Sequence, residues 1–446
     1  MKLENRDYQA NAIRKLPGLL LLHQRILMVS PTASGKTVIA AAVLRAMIGK
    51  RVLWLAHRKE LLLQARTELK RAGIPADWIR LFTGSEKVGD ESALITIASI
   101  DMFAAARNEV PEADLVVIDE AHRAAAKTYR MVQRKLPKAM VLGLTATPWR
   151  LDGKGLDDSF DHMFVVATMT ELIGRKFIAA PMTYGVPREK AREIVRGVRS
   201  LRGDYDRAEL ERSMLKGTLM GDIVAEWERL ALGKPTIVFA VTRRYGRELA
   251  WRFAERDHSV GYLDAETSEQ ERERLTGALR AGTLTILVNV DVLVEGVDLP
   301  RVKCIVMARP TKSLTRFLQQ AGRAGRWWRG QRPIILDHAG NWTRFGLPQE
   351  EHPWSLEGRG HGDGEPPKGR HCPVCQRVNA WSAKTCEGCG ADLPKSDREI
   401  TEEKARLERL QLDEDELAHK KRILASVQRA NGFDEKWLER ALREAS

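Results

Sequence analysis

Cysteine is scarce: five among 446 residues, with four of them between positions 372 and 389. That excludes a disulfide-built scaffold, and the two CxxC pairs suit metal binding in a reducing compartment. Long apolar runs are also missing. The longest, such as Leu19–Leu22 and Ala40–Leu44, fall far short of the roughly 20 residues a membrane helix needs. The start, Met1-Lys-Leu-Glu-Asn-Arg-Asp7, has no apolar signal core. A cytoplasmic chain with no membrane partner is the expectation. Carboxylates are in deficit, 60 Asp+Glu against 73 Lys+Arg, for a formal net charge of +13. Such an excess favours a polyanionic partner, nucleic acid first. There is no clear PD…ExK nuclease constellation.

Two short stretches stand out. Residues 30–37 read Ser-Pro-Thr-Ala-Ser-Gly-Lys-Thr, after the apolar run Arg25–Ser30 and before a helical segment starting at Val38. Backbone N–H groups of such a turn and helix start face phosphate oxygens. Lys36 would reach the β- and γ-phosphates, the Thr37 hydroxyl would bind magnesium (Mg2+), and Ser34 and Gly35 complete the cradle. Ser30 stands where the common pattern has glycine. Residues 116–122 read Val-Val-Ile-Asp-Glu-Ala-His. Asp119 is placed to hold magnesium through water, and Glu120 to orient and deprotonate an attacking water. Each alone is an ordinary strand-end turn; together they predict NTP hydrolysis. Further on, Gln319-Gln-Ala-Gly-Arg-Ala-Gly-Arg326 carries Arg323 and Arg326 three apart. Arginine is always charged and forks onto phosphate oxygens, although this stretch alone reads equally as a loose basic patch.

Residues 1–165 alternate apolar runs (Arg25–Ser30, Arg51–Ala56, Ala93–Ala98, Leu115–Asp119, Ala139–Thr145) with helix-like stretches. That pattern predicts an α/β fold, a parallel sheet with helices on both faces. Its motifs fall at strand C-terminal ends, where such sheets bind ligands. Residues 166–180 read as an inter-domain connection. A second α/β domain over 181–349 has strands expected at Thr236–Ala240, Val260–Leu263, Thr285–Asn289, Cys304–Ala308 and Pro333–Asp337, without a phosphate loop. Residues 350–370 read as a Pro/Gly-rich linker, 371–393 as a cysteine module and 394–446 as a charged helical tail. Trp54 and Trp251 are expected to pack; Trp327 and Trp328, beside Arg329, stay open between packing and base stacking.

In this order the motifs resemble a superfamily two helicase of the DEAH-box kind, over roughly residues 1–345. Arg6-Asp-Tyr-Gln9 is similar to the family's Q motif, which implies that Gln9 reads adenine and that the nucleotide is ATP. Ala56-His-Arg58 and Thr96–Ile100 resemble motifs that touch the nucleic-acid backbone, implying Arg58, Thr96 and Ser99 there. Thr145-Ala-Thr147-Pro resembles the motif that couples hydrolysis to strand movement. Asn289-Val-Asp291…Glu295-Gly-Val-Asp298 resembles motif five, with Asp298 at the nucleotide. Gln319…Arg326 resembles motif six, implying Arg323 and Arg326 as fingers and Gln319 as partner of His122 across the cleft. Leu144-Thr-Ala-Thr-Pro-Trp-Arg-Leu-Asp-Gly and Leu336-Asp-His-Ala-Gly-Asn look similar to bacterial RadD-type helicases and phage relatives. The resemblance implies two tandem RecA-like domains, a small zinc ribbon and a helical tail, in a bacterial cytoplasm or a phage-infected cell.

Cys372-Pro-Val-Cys375 and Cys386-Glu-Gly-Cys389 form a four-thiolate set suited to one tetrahedral zinc (Zn2+). So short a run cannot build a core, so metal would supply its stability. Cys304, inside an apolar strand, is expected to be inert core. Single-stranded or forked DNA is the expected partner, with RNA as the alternative. A protein partner at the ribbon or tail, or a motor role in a restriction or repair complex, fits the same residues. An adaptor with a decayed ATPase does not, because every catalytic position is filled.

Overall fold

The computed structural model of the chain describes residues 5–83, 87–106, 108–201, 203–215, 219–293, 299, 301–324, 332–358 and 369–393. Asp298, Arg326, Trp327, Trp328 and the 394–446 tail lie outside these. Runs of Val, Ile and Leu form buried strands at the centre of two sheets, as expected for strands covered on both faces.

The first sheet holds β1 (Arg25–Val29), β2 (Val52–Ala56), β3 (Ile79–Phe82), β4 (Lys87–Val88), β5 (Ile95–Ser99), β6 (Leu115–Asp119), β7 (Met140–Thr145) and β8 (His162–Val165). Its order is β4-β3-β5-β2-β6-β7-β1-β8, parallel except for the β3–β4 edge pair. The phosphate-loop strand β1 lies between β7 and β8, in register from Val29 to Thr145. The sequence showed five of these strands; β3, β4 and β8 are short and went unread. Helix α1 (Asp7–Leu22) packs on α2 (Lys36–Ala46), and Trp54 sits fully buried in the core beneath them.

A hairpin of β10 (Ser200–Leu201) and β11 (Asp204–Tyr205) follows strand β9 (Met182–Gly185). Then come β12 (Thr236–Ala240), β13 (Val260–Leu263), β14 (Ile286–Asn289), β15 (Cys304–Ala308), β16 (Ile334–Asp337), β17 (Arg370–His371) and β18 (Arg377–Asn379). The second sheet runs β13-β14-β12-β15-β16-β9-β18-β17. The cysteine module is therefore continuous with the second domain: β18 pairs antiparallel with β9, Val378 opposite Thr183. Both domains are parallel-sheet α/β units of the RecA-like kind.

Two expectations change. Trp251 is 54% exposed on the outer side of its helix, so it does not pack. The stretch read as linker is partly built structure. The carbonyl of Leu356 accepts the N–H groups of Leu156 and Asp157, and Gly358 bridges to Lys154 on the first domain.

Candidate active site

The phosphate loop leaves β1 at Ser30 and turns through two left-handed residues, Ala33 (φ 69°) and Gly35 (φ 88°), before α2 starts at Lys36. Two features favour glycine at position 35. Its φ favours glycine, and a Cβ there would lie 2.5 Å from Gln9 Nε2. The first turn of α1 props this loop. Tyr8 Oη and Gln9 Nε2 both donate to the Ser34 carbonyl, at 2.7 and 2.9 Å. Gln9 Oε1 accepts the Arg6 N–H at 2.9 Å. The amide expected to read adenine is thus engaged by the chain itself and acts here as a brace. Turn N–H groups and the start of α2 form an anion-binding concavity.

Lys36 Nζ donates to the Ser30 carbonyl at 3.3 Å. Desolvation lowers its pKa; Glu120 and Asp119 push it back up, and Arg323 lowers it further. Residues from three motifs and both domains therefore share one electrostatic environment. Asp119 ends β6, 3% exposed, and its Oδ1 accepts the Glu120 N–H at 3.0 Å. Glu120 sits at φ 52°, a left-handed backbone that costs about 1–3 kcal/mol in a non-glycine residue. This kink sends the chain into the short turn Ala121–Arg123 and leaves His122 Nδ1 3.5 Å from Glu120 Oε2. Beyond β7, Thr145 Oγ1 donates to the Thr147 carbonyl at 2.8 Å and accepts the Thr147 N–H at 3.1 Å. Both threonines are buried.

The second domain reaches this site through the helix Leu314–Ala321 and the turn Gly322–Ala324. A Cβ on Gly322 would lie 2.6 Å from Thr32 Cβ, so the motif-six turn rests directly on the phosphate loop. Arg323 is next in the chain. Gln319 is 4% exposed, and neither amide atom has a hydrogen-bond partner among the described residues. Its expected pairing with His122 is not made in this arrangement. A buried amide without partners costs about 1–3 kcal/mol, a cost that a bound polar group in the cleft would relieve.

The nucleic-acid expectations fare unevenly. Thr96 is the second residue of β5 and is buried, 6% exposed. Ser99, half-buried at the end of β5, keeps an accessible position. Beside it, His57, Ile100, His122, Arg123, Tyr129 and Arg150 line one open cleft. Arg58 turns to the second domain instead: its guanidinium donates to the carbonyls of Asp291 (3.1 Å) and Val292. Asp291, in the motif-five segment, is a hub. Its carboxylate takes Arg316 at 2.9 Å, Arg207 at 2.8 Å, and Arg309. Burial pushes the carboxyl up, and the three arginines outweigh that and hold it below the usual range. Asn289 Oδ1 shapes the same loop by accepting the N–H groups of Val292 and Leu293. Nothing local in the sequence marks Asp291, because its partners come from distant segments.

Cys372, Cys375, Cys386 and Cys389 converge with all four Sγ atoms within 4.8 Å of one another. Two separations are 3.6 Å (Cys372–Cys389) and 3.5 Å (Cys375–Cys386). Four sulfurs at about 2.3 Å from a tetrahedral zinc would be about 3.8 Å apart, so the donor set fits that ion. Burial raises the Cys386 thiol, but N–H donors of Cys389 and Gly388 outweigh it and bring the pKa down to about 6. Its neighbour Cys375 is pushed the other way, up to about 12, by burial and by the surrounding thiols, and a metal ligand must shed its proton. Cys304 is fully buried, and desolvation lifts its thiol to about 12, as expected of inert core.

A phosphate loop and an acidic strand end on one α/β domain, with an arginine turn from a second domain resting on the loop, define a two-domain nucleotide-hydrolysing motor. Residues 2–150 match the family "Type III restriction enzyme, res subunit", and residues 219–327 match "Helicase conserved C-terminal domain". A 51.5 kDa protein of a Lactococcus phage (isolate 7-9) is 32% identical over 415 residues, spanning 92% of this chain and 86% of that one. IRC3 of Saccharomyces cerevisiae, whose name makes it a candidate ATP-dependent helicase, is 26% identical over 343 residues; these span 71% of this chain and 49% of IRC3. The structure of the Type ISP restriction-modification enzyme LlaBIII bound to DNA shares the fold at TM-score 0.55 and 18% identity, over 78% of this chain and 28% of that one. The chain belongs to the superfamily two helicases and is an ATP-dependent enzyme of that family.

Proposed function

We propose that this protein is a DNA helicase or translocase of the DEAH-box kind, related to RadD-type enzymes, that steps along single-stranded or forked DNA as its cleft closes and opens. The observation that carries the reading is the seat of Gly322 on Thr32, which brings the Arg323 turn to the phosphate loop. Lys36 and the loop N–H groups would hold the β- and γ-phosphates, with Ser34 and Gly35 shaping the turn. Thr37 and Asp119 would hold magnesium, which supplies charge neutralisation on the phosphate oxygens. Glu120 would orient the attacking water and take its proton, and Gln319 would partner His122 across the cleft. Arg323, with Arg326 beyond it in sequence, would meet the charge that develops on the γ-phosphate. Asp298 would complete the nucleotide set, with Gln9 at its border bracing the loop through Ser34, and His122, Thr145 and Thr147 would relay its state. Closure around a ligand, biased by the nucleotide, is a common basis for stepping motion.

The DNA assignment draws on the +13 charge and on the DNA-bound state of LlaBIII. Dbp5, whose structure bound to RNA shares the fold at TM-score 0.51, keeps RNA as the alternative. A cytoplasmic location and a role in DNA repair belong to the same proposal. No helix of the described residues is long and apolar enough to cross a membrane. Affinity for a single-stranded oligonucleotide, followed by fluorescence anisotropy, should fall linearly on a log–log plot against salt with a slope worth several phosphates. A flat salt dependence would remove the backbone-tracking surface.

The ribbon is proposed to hold one structural zinc, since four thiolates leave no open position for chemistry. Cys386→Ser should lose the metal, measured by elemental analysis, and lower the melting temperature, because β18 pairs directly with β9. ATP hydrolysis should survive that loss better than DNA binding. A full complement of zinc in the variant, or none in the wild type purified without chelators, contradicts the assignment.

A further inference from the structure

Trp149 lies two residues beyond Thr147, 4% exposed, and no motif assigns it a role. Two separate segments converge on it, through three contacts. Its backbone carbonyl accepts the Thr315 hydroxyl at 2.9 Å. Thr315 is 2% exposed and sits in the first turn of the helix that leads through Gln319 to Arg323. Its indole Nε1 donates to the Ser355 carbonyl at 3.0 Å, and its ring meets Trp354 edge-on at 4.7 Å. Both last contacts come from a strap, residues 353–358, that follows the second domain yet is clasped to the first.

The clasp is main chain on main chain. Leu356 O accepts from Leu156 N at 2.6 Å and Asp157 N at 3.1 Å. A Cβ on Gly155 would lie 1.9 Å from Leu356 O. Gly358 has φ 94°, and a Cβ there would lie 2.3 Å from Gly155 N. Two glycines far apart in sequence thus permit one close approach, and neither tolerates a side chain.

We infer that Trp149 is a positioning residue: gripped by the 353–358 strap, it fixes the helix Leu314–Ala321 through Thr315, and so sets where Arg323 meets the nucleotide. Thr147 and Thr315 lie on opposite sides of the cleft, and the Trp149 carbonyl is the hydrogen-bonded step between their segments. By holding the indole, the strap anchors residue 149 as a whole and so limits how far its backbone carbonyl can shift. The inference rests on the reading of Arg323 as a finger.

The test is steady-state ATP turnover of the full chain with saturating DNA. Thr315→Val keeps the shape and removes the donor; it should lower kcat about ten-fold, the effect of about one hydrogen bond, with KM for ATP nearly unchanged. Thr315→Ser retains a hydroxyl and should restore kcat to near wild type. Gly358→Ala, which opens the clasp, should reproduce the kcat loss without the KM change. Wild-type kcat in Thr315→Val, or equal losses in the Val and Ser variants, overturns the inference. Wild-type kcat in Gly358→Ala removes the strap from it. Arg323→Ala is run alongside. If that variant turns over normally, the finger reading itself has failed. If it is dead while Thr315→Val is normal, only the positioning role has failed.

Discussion

Lys36→Ala should abolish ATP turnover, and Glu120→Gln should leave a protein that binds ATP and hydrolyses it very slowly. The two variants fail for different reasons. Lys36 is the cation inside the phosphate loop, with Nζ hydrogen-bonded to Ser30 O. Desolvation strains its charge, and a phosphate would relieve that strain, so its loss removes ground-state and transition-state binding together. Glu120 is held at φ 52° beside the buried Asp119. As the proposed base its carboxylate would accept a proton, and the amide of glutamine cannot do so. Binding should survive while general-base catalysis, worth about 10²–10⁴-fold, disappears. A radiolabelled-phosphate assay reads turnover, and a fluorescent ATP analogue reads binding. Turnover near wild type in either variant contradicts the site.

Arg323→Ala should lower kcat by about 10³-fold or more while changing nucleotide affinity little, because a finger acts on charge that appears only in the transition state. The seat of Gly322 on Thr32 is why the effect should be so large: the arginine turn is already against the loop. The same geometry predicts that a fragment ending near residue 175 is a poor ATPase even when folded. A fragment as active as the whole chain would show that the second domain contributes nothing to chemistry.

The nucleotide residues were legible because their chemistry is concentrated in runs of consecutive residues. Ser30–Thr37 and Asp119–His122 each carry a turn, a helix start and the reacting groups within a few positions. Four cysteines in two CxxC pairs are equally local. What the sequence hid depends on partners far away. Thr96 carries a motif's residue type, yet its place near the start of β5 leaves it buried. Arg58 has the reach and charge for a phosphate, and two carbonyls of the second domain take its donors first. Glycine and proline between 350 and 370 read as a loose connection, whereas Gly358 is there to lie against Gly155. The docking of the ribbon on β9 was hidden because strand pairing leaves no local mark on either partner.

The most direct test of the motor as a whole is the rate of ATP hydrolysis by the full-length chain, with and without single-stranded DNA, and with RNA of the same sequence. The account predicts a low basal rate raised at least about ten-fold by DNA, as strand binding favours the closed cleft, with a smaller rise from RNA. Stimulation by RNA alone would reassign the substrate, and a rate indifferent to both would contradict coupling between the nucleotide site and a nucleic-acid strand.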